Sequence, residues 1–381
     1  MAQAMTERRR FLAVNEYEPV DRVPNHEVGV WPQTRDRWER EGLNVRNLHW
    51  DWFTGEEYFD MDAREYINVH YGMIPSFDAE VLERTDRYET VRHANGVVTK
   101  ALIEGTSGGG RSCMDQYLAW PVSDLAGFRE ITKRYDPNLQ CRYPPQWRAT
   151  MLPGWRHRDH VLVLGRNCST LGFYWRAREW MGTENLCYAW CLQPELVHEM
   201  MAFIADFTIE VSRPILDEIA PDYVFINEDM AMKTGPLLSP DTYREFIFPH
   251  MKRLVAFLKG KGVRYVFVDT DGNPEPLIPL MMDAGVDGIW PIERASKDMD
   301  PMFLRKKYGK DLRLWGGVDK RELAKDKPAI DAHLRSLIPM IEEGGFIPTV
   351  DHTVPTDISL DNFRYYIERK QALLAGDFAK L

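Results

Sequence analysis

Residues 223–229 read Tyr223-Val224-Phe225-Ile226-Asn227-Glu228-Asp229. An unbroken apolar run that stops at polar and acidic residues suits a parallel strand buried on both faces, with its C-terminal end delivering side chains to a rim. The pattern recurs on either side. Val161-Leu162-Val163-Leu164 leads into Gly165-Arg166-Asn167-Cys168, and Tyr265-Val266-Phe267-Val268 into Asp269-Thr270-Asp271-Gly272-Asn273. Gly288-Ile289-Trp290 leads into Pro291-Ile292-Glu293, Leu312-Arg313-Leu314-Trp315 into Gly316-Gly317-Val318-Asp319-Lys320, and Phe346-Ile347-Pro348-Thr349-Val350 into Asp351-His352. Amphipathic segments at 194–219, 239–259, 274–284, 329–343 and 359–375 separate these runs, and Ser239-Pro240 has the N-cap-then-proline signature of a helix start.

Strand–helix alternation over this length predicts an α/β fold, a (β/α)8 TIM barrel with an irregular N-terminal extension. The alternative, a doubly wound open sheet, loses ground because no G-x-G-x-x-G follows the first regular strand. The 381 residues are read as one barrel domain, 1–381. Residues 1–155 form its irregular part, with a helix at 6–14, the first strand at 23–30 carrying His26-Glu27, a hairpin arm at 97–104 and a helix at 123–135 capped by Ser123. Residues 156–381 hold the regular β/α units.

The formal net charge is −10, from 48 Lys and Arg against 58 Asp and Glu. Nucleic-acid binding needs clustered cations, so that class is set aside, and the run Arg8-Arg9-Arg10 is expected on a solvated helix face. Neither an apolar signal segment nor a membrane-length apolar stretch is visible, and five Cys suit reduced thiols; the expectation is a cytoplasmic protein. Cys187 and Cys191 read as buried free thiols, while Cys168, just past a strand, is kept as a site candidate.

Several strands thus deliver Asp, Glu or His to one rim. Converging carboxylates must share protons, pair with cations or bind a metal. Any one of them could simply cap the following helix.

With these residues in view, the sequence resembles the uroporphyrinogen decarboxylase superfamily. The resemblance lies in Arg9-Arg10-Phe11-Leu12-Ala13 with Glu18-Pro19-Val20-Asp21-Arg22-Val23-Pro24, in Leu238-Ser239-Pro240-Asp241-Thr242-Tyr243-Arg244-Glu245-Phe246, in Gly316-Gly317-Val318-Asp319, and in Glu343-Gly344-Gly345-Phe346-Ile347-Pro348. It implies one of two chemistries, decarboxylation of a tetrapyrrole's acetate arms or methyl transfer involving a corrinoid protein. The decarboxylases grip their substrate with an Arg-containing loop after the first strand. Here that region reads His26-Glu27-Val28-Gly29-Val30-Trp31-Pro32-Gln33, with no Arg before Arg35. An acidic rim is also the wrong field for a substrate with many carboxylates.

The methyltransferases hold zinc with a His-x-Cys pair after one strand and a final Cys. The matching positions here read Asp269-Thr270-Asp271 and His352. The resemblance therefore implies a divalent metal, zinc first, held by Glu228, Asp269 (or Asp271) and His352. Asp271, Glu293 and His26 are the expected catalytic groups, and Trp31, Asn167 and Trp290 the substrate-binding ones. The expected function is methyl transfer between a small O- or N-methylated, even aromatic, substrate and a corrinoid (cobalamin) supplied free or by a corrinoid protein, in a homodimer. The alternatives are a uroporphyrinogen decarboxylase-like lyase and a non-catalytic corrinoid- or tetrapyrrole-binding barrel.

Overall fold

Parallel strands form where the sequence places its unbroken apolar runs. The computed structural model describes residues 4–44, 57–104, 106–107, 110–111, 115–165 and 171–381. Its main sheet contains β1 (Arg64–Ile67), β2 (Val161–Leu164), β3 (Tyr223–Asn227), β4 (Tyr265–Asp269), β5 (Gly288–Ile292), β6 (Arg313–Val318) and β7 (Phe346–Val350). Each strand pairs in parallel with the next in chain order.

An extended segment, residues 23–31, joins the two edges of this sheet. On the β1 side the Asp62 amide donates to the Asn25 carbonyl at 2.9 Å, and the Arg64 guanidinium donates to the Glu27 carbonyl at 2.9 Å. On the β7 side the Val350 amide donates to the Glu27 carboxylate at 2.8 Å, and the Val354 amide to the Gly29 carbonyl at 2.9 Å. Apart from one bridge between Val30 and Val354, the segment has no ladder among the described residues. The strand expected at 23–30 is thus an eighth stave tied in largely by side chains. The first regular strand is β1, which the sequence reading passed over.

Side-chain alternation sorts the strands into two layers. Val161, Val163, Tyr223, Phe225, Tyr265, Phe267, Trp290, Trp315 and Ile347 face inward and form one buried cluster. Leu162, Leu164, Val224, Ile226, Val266, Val268, Ile289 and Leu314 face outward, into the larger cluster that includes the surrounding helices. The barrel interior is therefore a packed aromatic core, with Phe225 and Trp290 centroids 5.0 Å apart. Helix α1 (Glu7–Asn15), N-capped by Thr6, closes the bottom. Its fully buried Phe11 lies 5.2 Å from Tyr223.

The arginine run of α1 is a solvated face only in part, for Arg9 is exposed and Arg8 half-buried. Arg10 is buried, bonds both oxygens of Asp21 and reaches Asp62 at 3.4 Å, while Arg8 bonds Asp222 at 2.8 Å. These pairs lock the plug to the strand starts, where the sequence reading had no view of partners far along the chain.

The outer helices that matter for the site are α2 (Phe173–Met181), α3 (Pro194–Leu216), α4 (Phe248–Gly260) and α5 (Leu360–Leu374). Ser239 caps its helix as expected, accepting from the Thr242 amide, and a wider π turn at Tyr243–Ile247 precedes α4. The helix expected over 329–343 is broken into Lys327–Ser336 and Ile338–Glu343. Pro339 explains the break, because it has no amide to donate and its ring crowds the preceding turn. The helix expected at 123–135 spans Leu125–Thr132, with Asp124 rather than Ser123 as the cap.

The hairpin arm expected at 97–104 belongs to a four-stranded antiparallel sheet of Glu80–Arg84, Tyr88–Arg92, Val98–Leu102 and Gln116–Ala119. Cys187 is half-buried and Cys191 exposed, so these are not a pair of buried thiols; Cys113 and Cys168 lie outside the described residues. No helix among the described residues is long and apolar enough to cross a membrane.

Candidate functional site

The C-terminal ends of β3, β4 and β7 bring Asp229, Asp269, Asp271 and His352 into one electrostatic cluster. The loops that carry them are cross-tied by backbone. The Glu228 amide donates to the Asp269 carbonyl at 2.7 Å, the Thr270 amide to the Trp290 carbonyl at 2.9 Å, and the Asp351 amide to the Val318 carbonyl at 2.8 Å. Gly272 makes the tight turn after Asp271. Its φ is +79°, and a Cβ there would come within 2.7 Å of the Ala231 carbonyl. The Gly272 amide in turn donates to the Glu293 carboxylate at 3.0 Å.

Within the cluster, His352 Nε2 lies 3.1 Å from Asp271 Oδ2. Burial works against a charged imidazole, but the hydrogen bond and charge of Asp271 outweigh it and hold His352 above its ordinary range. Burial, reinforced by Asp271, pushes the Asp229 carboxyl up to about 6 against the pull of Arg178 3.5 Å away. Asp269 is driven well above the carboxylate range by burial and by the charges of Asp229 and Asp271. Asp269 therefore keeps its proton at neutral pH, as one of several like charges in a poorly solvated site must.

Asp229 takes up more protons folded than unfolded, where its value returns toward 3.8. A raised folded-state value gives stability that is complete below about pH 4 and lost as pH rises through about 6. Asp229→Asn should therefore stabilise the protein at pH 7, on the order of 1–3 kcal/mol, and give little at pH 4. Urea unfolding at the two pH values checks this; equal effects at both would refute the assignment.

The other expected site residues take different places. Glu228 is fully buried, and its two oxygens accept from the Phe173 and Tyr174 amides at 3.1 and 2.7 Å, at the N-terminus of α2. The close approach requires Gly172, since a side chain there would run into the Asn227 carbonyl. Burial pushes Glu228 up to about 8 despite those amides. Glu228 is thus a helix-anchoring group. Among the described residues no three His, Cys, Asp or Glu side chains are placed to hold a metal ion. The expected set of Glu228, Asp269 and His352 does not assemble, because Glu228 is turned to α2 and His352 Nε2 is bonded to Asp271. The donor set does not fit zinc.

Glu293 bonds Lys320 at 2.8 Å in addition to Gly272, which makes it a loop tie beside the cluster. His26 is wholly enclosed, stacked 5.4 Å from Trp315, and burial together with the Arg64 and Lys370 charges holds it well below its ordinary range; it does not reach the rim. Trp290 packs in the interior layer at 2% exposure, so it is core and not a substrate wall. Trp31 lies beside the cluster, with 43% exposure and its ring 6.0 Å from His352. Asn167 lies outside the described residues.

Two acids were absent from the expected set. Asp229 follows directly on Glu228 in the strand-end motif and could have been found there. Asp351 is fully buried and accepts from the Arg294 and Lys320 amides at 2.8 and 3.1 Å; burial pushes it up to about 6.

A parallel barrel with proton-holding acids and an imidazole above its strand ends defines a barrel of the enzyme type, with its site at the C-terminal rim. The chain belongs to the uroporphyrinogen decarboxylase (URO-D) family, whose model matches residues 175–372. That span contains every rim residue described above except Trp31. The chain is 25% identical over 134 residues to a uroporphyrinogen decarboxylase of Picosynechococcus sp., a match covering 34% of this chain and 36% of that protein. It is 24% identical over 179 residues to a uroporphyrinogen decarboxylase of Crocosphaera subtropica, covering 46% of this chain and 47% of that protein. The matches thus span between about a third and a half of these relatives' lengths. A solved methyltransferase from Methanosarcina mazei shares the fold over nearly the full length, with a TM-score of 0.57, 14% identity, and 98% and 99% of the two chains covered.

Proposed function

We propose that the chain moves a methyl group from a small O- or N-methylated substrate to a corrinoid, with the Asp271–His352 pair supplying the proton that the departing heteroatom needs. The observation that carries this reading is the 3.1 Å contact between His352 Nε2 and Asp271 Oδ2, which favours the protonated imidazole beside the buried Asp269. In the reaction the heteroatom–methyl bond breaks, and its electron pair stays on the heteroatom. That atom takes a proton from the Asp271–His352 pair as the methyl carbon bonds to the acceptor. The corrinoid is a second substrate, free or brought by a corrinoid protein, whose reduced cobalt supplies the nucleophile. Asp271 orients the imidazole and stabilises its charged form, and Trp31 offers an aromatic wall beside it. No step is routed through a metal, because the donor set does not assemble.

A second reading, decarboxylation, is favoured by the names of the matched relatives. The same proton would then go to the carbanion left by departing carbon dioxide. A substrate with many carboxylates needs free cations, however, and Arg178, Lys320 and Arg321 are each paired with the chain's own Asp229, Glu293 and Asp319.

The test is incubation of the purified protein with methyl ethers or methylamines and reduced cobalamin, following methylcobalamin by its absorbance, beside a parallel assay of carbon dioxide release from uroporphyrinogen. Methylcobalamin formation in the first assay is the expected result. Carbon dioxide release with no methyl transfer would replace this reading with the second.

A further inference from the structure

Two neighbouring side chains at the site carry buried polar atoms with no hydrogen-bond partner among the described residues. Asn227 and Asp269 are the last residues of β3 and β4 and face each other in the register of the two strands. Both continue the inward-facing series, Tyr223 and Phe225 on one strand, Tyr265 and Phe267 on the other. They therefore form the layer above the aromatic core, on neighbouring strands about 4.8 Å apart. Asn227 is 2% exposed and Asp269 4%. Neither the Nδ2 nor the Oδ1 of Asn227 has a hydrogen-bond partner, and the Oδ2 of Asp269 has none. Leaving such atoms unpaired costs the desolvation of each polar group with no bond in return. His26 is also unpaired, but it is walled in by Phe11 and Trp315, whereas Asp269 adjoins Asp271, whose side chain is 37% exposed.

From this placement we infer that Asn227 and Asp269 form the substrate-reading floor of the site, and that they select a methylated heteroatom carrying a hydroxyl or similar hydrogen-bond donor on the adjacent atom. The inference rests on the methyl-transfer reading for its substrate class. An amide presents a donor and an acceptor side by side, and the carboxyl adds a third polar atom one strand away. A single ether oxygen can accept but cannot donate, so it would leave Asn227 Oδ1 unpaired. A neighbouring hydroxyl donates to Oδ1 while the ether oxygen accepts from Nδ2 or from a protonated Asp269. A carboxylate at the same position would meet Asp229 and Asp271, so the preferred substrate is uncharged. The exposed ring of Trp31 suits an aromatic frame for the two oxygens. Asn227 and Asp269 are positioning residues in this scheme; the proton comes from His352.

The experiment is calorimetric titration, without any methyl acceptor, of 2-methoxyphenol and 1,2-dimethoxybenzene into the wild-type protein and the Asn227→Leu variant. The wild type should bind 2-methoxyphenol at least about tenfold more tightly than the dimethoxy compound, and Asn227→Leu should abolish that preference. Asn227→Leu removes an unpaired buried amide at nearly constant volume, so its unfolding midpoint should be unchanged or higher. If it fails to fold, Asp269→Asn takes its place and should narrow the preference. Equal binding of the two probes to wild type, binding of neither, or a preference untouched in the folded variant would overturn the inference. Asn227-dependent binding without turnover would uphold the floor and sink methyl transfer. Turnover without the preference would do the reverse.

Discussion

Lys370→Met should destabilise the protein by roughly 3–5 kcal/mol. Lys370 Nζ lies 2.6 Å from the Glu27 carboxylate and 2.6 Å from the His26 carbonyl, and both Lys370 and Glu27 side chains are fully buried. Glu27 also accepts from Tyr366 at 2.5 Å and from the Val350 amide at 2.8 Å. Removing the ammonium leaves a buried carboxylate with two neutral donors, and the remaining Arg64 charge bonds the Glu27 carbonyl instead of the carboxylate. The double variant Glu27→Gln with Lys370→Met should recover much of the loss, because it removes the uncompensated charge and keeps an amide for Val350 and Tyr366 to meet. Urea unfolding of the three proteins measures both effects. A single-variant loss below about 1 kcal/mol would mean that the pair does not hold the stave to α5.

The second large effect falls on turnover. His352→Ala should lower kcat/KM by about 10²–10⁴, the usual contribution of a positioned acid. Asp271→Asn separates proton supply from mere shape. The Asp271 carboxylate is what lifts His352 above its ordinary range, so its removal lets that value fall. A rate that needs protonated His352 declines as pH rises through its pKa. In Asp271→Asn the decline should therefore begin at lower pH than in wild type. The imidazole signal followed by NMR gives the same shift independently of any assay. An imidazole that titrates identically in the two proteins would remove Asp271 from the mechanism.

The sequence shows the barrel where both faces of a strand are apolar. Runs such as Tyr223–Asn227 and Tyr265–Asp269 have no other economical reading. It hides β1, because Arg64-Glu65-Tyr66-Ile67 carries two charges within four residues. The structure accounts for both: Arg64 turns inward onto the Glu27 carbonyl, while Glu65 takes the Trp155 indole and the His160 ring. The stave at 23–30 was legible in position and extension but not in bonding, since its partners on the β7 side lie some 323–339 residues further on.

Site residues follow the same division. Asp269, Asp271 and His352 were readable because a strand end fixes which way the chain turns. Trp290 and His26 misled because burial cannot be read from position alone. The alternation Gly288, Trp290 against Ile289 places Trp290 inward, in the filled layer. Glu228 misled for a different reason: its role depends on how closely Gly172 lets α2 approach β3, a contact between residues more than fifty apart. Asn227 gave no signal, since an Asn at a strand end is an ordinary helix-turn residue until its neighbours are known.

The stave has one more consequence, for the order in which the molecule can be made. Its anchors, Val350, Val354, Tyr366 and Lys370, are made long after the stave itself, 323 residues after Glu27 for Val350 and 343 for Lys370. Strands β1 to β6 can pair as they emerge, each beside a neighbour already present. The seam cannot shut until α5 has been made, so vectorial synthesis first yields an open sheet with its aromatic interior facing solvent. Closure therefore waits for α5, and this is the interval in which a chaperone would be needed most.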